Sequence, residues 1–374
     1  MKTSLTRFFS LAVTAVLLLA ALGFTAAPVA ANTSVQDDGG IVSSPPTLVV
    51  AAAHPWTKAQ MLAAKPYPIN AVSADSVTLS TELLAAPDGA AGSVAGKLPT
   101  KKAARGRLPS LLAGGPADLL GEVSPDGAKS AGYSYPAPFT RQYIDSISNS
   151  AWYPFSAVGK LFFSQNGVDY VCSASVIGYA GIVTAGHCVH AGNNRASGWS
   201  YNMVFVPSYF NGSAPYGQWY VANLSVESIW FKYGNPGGLR RDLGVGYITA
   251  DSYGYRVGDY TGYLGYSWNQ LRDSSWWLIG YPASGQFSGA YMVSCQSSHA
   301  YDSTAGSSGP LTVGVGCDMT GGTSGGPWVK GIGVGNLVNG VNSYRRNGYN
   351  KELFSPYFDA VDKAILDAAR SYAP

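Results

Sequence analysis

A folded core needs bulky apolar side chains, and this chain keeps nearly all of its largest ones beyond residue 130. Residues 32–130 contain two aromatic side chains, Trp56 and Tyr67, and no cysteine. Ala, Pro, Gly and Ser dominate the rest of that stretch. Such a segment buries too little apolar surface to offset the entropy of ordering its backbone. It is therefore expected to be a largely disordered propeptide or stalk. Residues 131–374 hold Cys172, Cys188, Cys295 and Cys317 and most of the Trp and Tyr, and are expected to form the folded domain.

Ahead of both lies MKTSLTRFFSLAVTAVLLLAALGFTAAPVAANTS, with Lys2 and Arg7 before an apolar run and small residues after it. This is the pattern of a secretory signal peptide, expected over residues 1–31 with cleavage near Ala31. A single membrane anchor is the alternative. Export to an oxidising compartment makes two disulfides the expected use of four cysteines. Three pairings are open, and Cys172–Cys188 with Cys295–Cys317 joins sequence neighbours. Charge is uninformative: residues 131–374 carry 14 Lys and Arg against 13 Asp and Glu. No basic footprint of a nucleic-acid binder is present. In KLPTKKAARGRLPS, Lys101, Lys102, Arg105 and Arg107 could form a processing site or a solvated charge cluster.

From about residue 140 the chain alternates short apolar, β-branched and aromatic runs with glycine-rich turns. GKLFFSQNGVDYVCSASVI reads as a hairpin with Asn166-Gly167 at its tip. NMVFV, GQWYVANLSV, LGVGYI, SWWLIGY, GAYMVSC, LTVGVGC and LVNGVNSY are further strand candidates. Near the end, Phe358, Val361, Ile365 and Ala369 recur at helical spacing, with Ser355-Pro356 as a candidate start. Many strands and one terminal helix predict a β-barrel or sandwich.

In CDMTGGTSGGPW, Ser324 sits between Gly321-Gly322 and Gly325-Gly326. Paired glycines suit either a loose turn or backbone that must pass very close to its surroundings. Acyl transfer by a serine needs a base, an orienting acid and donors for the oxyanion. The chain has four histidines, His54, His187, His190 and His299, and His187 lies in VTAGHCVH.

TAGHC, from Thr184 to Cys188, and GTSGGP, from Gly322 to Pro327, resemble the histidine and nucleophile motifs of chymotrypsin-like serine proteases. The resemblance covers roughly residues 140–374. TGGTSGGPW and LIGYP are more similar to the bacterial glutamyl-endopeptidase branch than to vertebrate trypsins. It implies an all-β fold of two packed six-stranded antiparallel β-barrels with a C-terminal α-helix. It implies a secreted endopeptidase acting on proteins or peptides, needing no cofactor or metal, and expected to be a monomer. His187 becomes the general base, Ser324 the nucleophile, and the N–H groups of Gly322 and Ser324 the oxyanion hole. The Cys172–Cys188 pair matches the family's clamp on the histidine loop. Asp242, at the head of DLGVGYI, is the expected acid, with pairing to Arg240 or Arg241 as the alternative. His190 is expected to be a surface residue.

Several positions depart from the trypsin pattern. Thr323 precedes the nucleophile and cannot pair with a new N-terminal amine, so removal of an occluding propeptide is the expected activation route. Asp318, six residues before Ser324, would select Arg or Lys or serve structure. Asn342 stands where the glutamyl branch has a pocket histidine, and Arg345 and Arg346 could pair with Asp318 or attract an acidic side chain. Three rivals remain. An inactive protease-fold binding protein would share the fold. A GxSxG hydrolase would need a histidine after Ser324, and none follows. A metal hydrolase would need more than His187 and His190.

Overall fold

A computed structural model describes residues 40–45, 55–82, 89–101, 131–133 and 137–374. The expected signal peptide, His54 and most of the basic cluster after Lys101 lie outside the described residues. The QNGV hairpin forms as expected: Val158–Gln165 pairs with Val168–Val176 through a two-residue loop. Asn166 and Gly167 take φ of 51° and 76°, the left-handed turn whose twist matches that of paired strands.

That hairpin begins a closed six-stranded antiparallel barrel. Val168–Val176 pairs with Gly181–Thr184, which pairs with Gly244–Ile248. Trp219–Glu227 and Tyr201–Pro207 complete the circle back to Val158–Gln165. Each of the six strands pairs on both sides, but the ladders of Val168–Val176 with Gly181–Thr184 and of Tyr201–Pro207 with Trp219–Glu227 are short and leave part of each longer strand's edge open. The second half is one thirteen-stranded sheet, and its ladder runs as an open path. Its centre is Ser275–Gly280, Met292–Ser303, Thr312–Gly316 and Glu352–Ser355. A separate core lies against it, built from Trp276, Leu278, Val315, Met319, Trp328 and Leu353 among others. Both expected disulfides are present, Cys172–Cys188 in the first half and Cys295–Cys317 in the second.

The terminal helix runs Ala360–Ser371, later than Ser355-Pro356. Ser355 ends a strand, and Asp359 supplies the cap by accepting from the Val361 and Asp362 amides. Ile365, Leu366 and Ala369 form the helix's buried apolar face. A Cβ at Gly181 would lie 2.0 Å from the Ala369 carbonyl oxygen, so the helix seats on the barrel only where that strand has no side chain.

The front segment is described only in part. Its described parts are ordered additions to the two sheets. Ile41–Ser43 pairs with Trp219–Glu227, and Lys65–Pro66 with Val168–Val176. Asn70–Val72, Leu79–Ser80 and Gly92–Val94 join the second sheet. Trp56 is 3% exposed, packs its ring 5.5 Å from that of Phe162, and donates from its indole to the Asn202 carbonyl. Its described residues build no core of their own and insert side chains into the neighbouring one.

Candidate active site

The first barrel places His187. Strand Gly181–Thr184 leads into a short helix, Gly186–Val189, pinned by the Cys172–Cys188 bridge. His187 is 2% exposed and its Nδ1 lies 2.7 Å from Asp242 Oδ2. The His187 backbone N–H donates to Asp242 Oδ1 at 2.8 Å, and the Ser343 hydroxyl donates to Oδ2 at 2.6 Å. Asp242 is fully buried. The His187 amide, His187 Nδ1 and the Ser343 hydroxyl thus converge on one buried carboxyl group. The arginines that could have claimed Asp242 are engaged elsewhere. Arg240 donates to the Thr304, Ala305 and Gly309 carbonyls, and Arg241 pairs with Asp359 and Asp362.

The junction of the two halves places Ser324. The Ser173 amide donates to the Ser324 carbonyl at 2.7 Å, and the Ser173 hydroxyl to the Gly322 carbonyl at 3.0 Å. The four glycines are all crowded. A Cβ at Gly325 would sit 1.9 Å from Thr184 Oγ1, and one at Gly326 would sit 2.0 Å from the Ile279 carbonyl. Gly322 has φ of +92°, and a Cβ there would meet the Tyr281 carbonyl at 2.7 Å. Close approach, rather than looseness, explains the glycine pairs. Ser324 Oγ and His187 Nε2 are both buried and have no hydrogen-bond partner. These are the two atoms between which acyl transfer would move a proton.

The other sequence candidates divide. Asn342 supports the Ser324 loop: its amide donates to Thr323 O and Oγ1, and its oxygen accepts from the Trp328 indole. Asp318 Oδ2 is 2.5 Å from Arg141 Nη1 and accepts from Gln286 at 2.9 Å. Arg346 pairs with Glu352. Arg345 donates from one nitrogen to the Met319 carbonyl, while its buried Nε has no partner. His190 is fully buried, contrary to the expected surface position. It stacks on Phe231, accepts from the Gly192 amide at Nδ1 and donates from Nε2 to the Arg195 carbonyl. Burial lowers its pKa to about 4. His187 lies near the sulfurs of Cys172 and Cys188, but disulfide sulfurs are not thiolate ligands for a metal.

The sequence reading missed the residues that reach this site from a distance. Tyr67 lies with its ring 5.3 Å from that of His187, and its hydroxyl donates to Gln165. The Tyr67 carbonyl accepts from the Gly322 amide at 3.1 Å. Asn70 Nδ2 lies 3.0 Å from His187 Nδ1. Ser343 was equally unmarked, since a serine after Asn342 carries no signal of its own.

Among solved structures, the protease Anisep from Arthrobacter nicotinovorans is 31% identical over 58% of this chain and 96% of its own, with a TM-score of 0.51. AL20, a thermostable serine protease from an extremophilic microorganism, is also 31% identical, covering 58% of this chain and 98% of its own at a TM-score of 0.51. A Glu endopeptidase aligns at 18% identity and a TM-score of 0.45, too distant to bear on specificity. No family model matches the chain, and no curated protein matches it. The shared motifs, the closed first barrel and these two full-length matches lead to one conclusion: the chain belongs to the chymotrypsin-like serine proteases.

Proposed function

We propose that the protein is a secreted serine endopeptidase working through Ser324, His187 and Asp242. The observation that carries this reading is the 2.7 Å contact between His187 Nδ1 and Asp242, with Nε2 and Ser324 Oγ both left without partners. Ser324 Oγ attacks the scissile carbonyl as Nε2 takes its proton. Asp242 holds the Nδ1 proton and stabilises the imidazolium. The carbonyl oxygen gains charge facing the Gly322 and Ser324 N–H groups. His187 then protonates the leaving nitrogen, the acyl-enzyme forms, and water repeats the sequence in reverse. Two disulfides and the leader-like N-terminus support an extracellular location. A serine-directed fluorophosphonate should label the processed enzyme and leave Ser324→Ala unlabelled. Equal labelling of both would end this assignment.

The pocket is proposed to disfavour Arg and Lys before the scissile bond. Asp318 is already neutralised by Arg141 and hydrogen-bonded to Gln286, so a basic side chain would have to displace a buried ion pair. The free Nε of Arg345 favours an acidic or polar group instead. Peptide-library cleavage should show no enrichment of Lys or Arg, and Arg345→Ala should erase any preference for Glu or Asp. Dominant cleavage after Arg would refute this pocket reading and leave the triad untouched.

A further inference from the structure

Resting on that reading of the triad, the path of residues 65–72 carries a second conclusion. The sequence is Lys65-Pro-Tyr-Pro-Ile-Asn-Ala-Val72. Lys65–Pro66 pairs with Tyr170 and Val171 beside the histidine loop, and the Tyr67 amide donates to the Val171 carbonyl. The Tyr67 carbonyl then takes the Gly322 N–H, the donor assigned to the oxyanion. The Tyr67 ring covers His187 and Asn70 touches its Nδ1 edge. Ile69 packs against the second core. Asn70–Val72 pairs with Tyr344–Arg346, directly after Ser343. The segment therefore crosses base, oxyanion donor and the strand beside the acid in one pass.

Two further features bear on what this passage does. Pro66 and Pro68 fix their own φ and push Lys65 and Tyr67 towards extended backbone, so much of the ordering entropy is removed before the segment docks. Both of its ladders are parallel. The edges it uses belong to strands whose other pairings are antiparallel. A peptide running the other way would form the antiparallel ladder, the slightly stabler arrangement, on the same edges. It would also present its scissile bond to Ser324 in the opposite sense.

We propose that Lys65–Val72 is an intramolecular inhibitor of this active site. It is a proline-stiffened plug threaded against the direction of a substrate, and it closes the oxyanion hole with the Tyr67 carbonyl and survives uncut. The occupant of the cleft is thus a defined eight-residue segment of the chain itself. Its aromatic anchor makes ring contacts with Phe163, Tyr170 and His187.

The test uses the intact chain, its integrity verified by mass. Fluorophosphonate labelling is timed for wild type, Tyr67→Ala, Pro66→Gly/Pro68→Gly and Ser324→Ala. Loss of the Tyr67 ring contacts should speed labelling by about tenfold or more. The proline pair should act in the same direction, and Ser324→Ala should stay dark. Intact wild type labelling as fast as the plug variants overturns the plug and leaves the triad standing. Failure of every form to label removes the triad reading, and the plug falls with it. Should the variants not fold, cleavage mapping of wild type after long incubation decides: residues 65–72 are expected intact. A cut after Tyr67 would mean a substrate-like passage and would overturn the proposal.

Discussion

The replacement Asp242→Asn tests the proposed chemistry at one atom. The carboxylate accepts from the His187 amide at 2.8 Å, from His187 Nδ1 at 2.7 Å and from the Ser343 hydroxyl at 2.6 Å. An asparagine of the same shape has one oxygen and one NH2, so one of the two positions must present a donor to a donor. If the NH2 faces Nδ1, the imidazole can relieve the clash only by moving its proton to Nε2. That tautomer cannot accept the Ser324 proton, and the base is lost. An orienting aspartate exchanged in this way lowers turnover by about 10⁴, or roughly 5.4 kcal/mol of transition-state stabilisation. If the NH2 faces the His187 amide instead, a buried unsatisfied pair costs about 1–3 kcal/mol of stability. The two outcomes separate by experiment. The processed variant should keep its fold by near-ultraviolet circular dichroism, retain KM within a few-fold and lose kcat. Turnover within tenfold of wild type, with the fold intact, would refute the assigned role of Asp242.

Three further outcomes concern stability. His190 has a folded pKa lowered to about 4 by burial. The unfolded chain therefore binds the extra proton first as pH falls. The stabilisation is full above the ordinary histidine value of about 6.5 and is lost between there and pH 4, by on the order of 3 kcal/mol. Urea unfolding across that range should show the slope, and His190→Gln should flatten it. Lys160 is buried with its Nζ 2.8 Å from the Gly289 carbonyl, and burial lowers its pKa to about 7. Its charge costs stability below pH 7, and that cost fades as pH rises towards the ordinary lysine value. Lys160→Met should raise the midpoint at pH 6 and remove the rise in wild-type stability between pH 7 and 10, on the order of several kcal/mol. Replacing Cys295 and Cys317 by Ala opens a loop closed across 22 residues. It should cost about 3 kcal/mol on the chain-entropy model, read from denaturant midpoints, and a loss under 1 kcal/mol would refute that expectation.

What could be read in the chain was what the chemistry confines to short contiguous strings. TAGHC and GTSGGP carry their meaning locally, because a histidine turn locked by a cystine and a serine loop pressed against its neighbours tolerate few other residues. Asp242 was legible from its place at the head of an apolar strand. Ser343, Arg141 and Asn70 were not, because each reaches its partner across 101, 177 and 117 residues. No local pattern records such a meeting. Asn342 shows how little a position alone tells of a side chain's partners. It was placed in the pocket by position alone, and the structure shows its amide bonded to Thr323 and Trp328, which makes it a brace for the Ser324 loop.

The order in the described parts of the front segment has a physical reason. Scarce aromatics argue against a self-contained core, because entropy must be offset by buried area. They do not argue against docking on a core that already exists. There the entropy of extended strands is offset by ladders added to sheet edges and by a few large anchors. The two aromatics of the segment are those anchors: Trp56 in the first barrel and Tyr67 on His187. A segment poor in bulky residues can therefore hold a defined structure on its own enzyme while lacking one alone. Separated from residues 131–374, it should lose its strands and keep its sequence of anchors. That is the behaviour required of an inhibitor that must first hold and then be discarded.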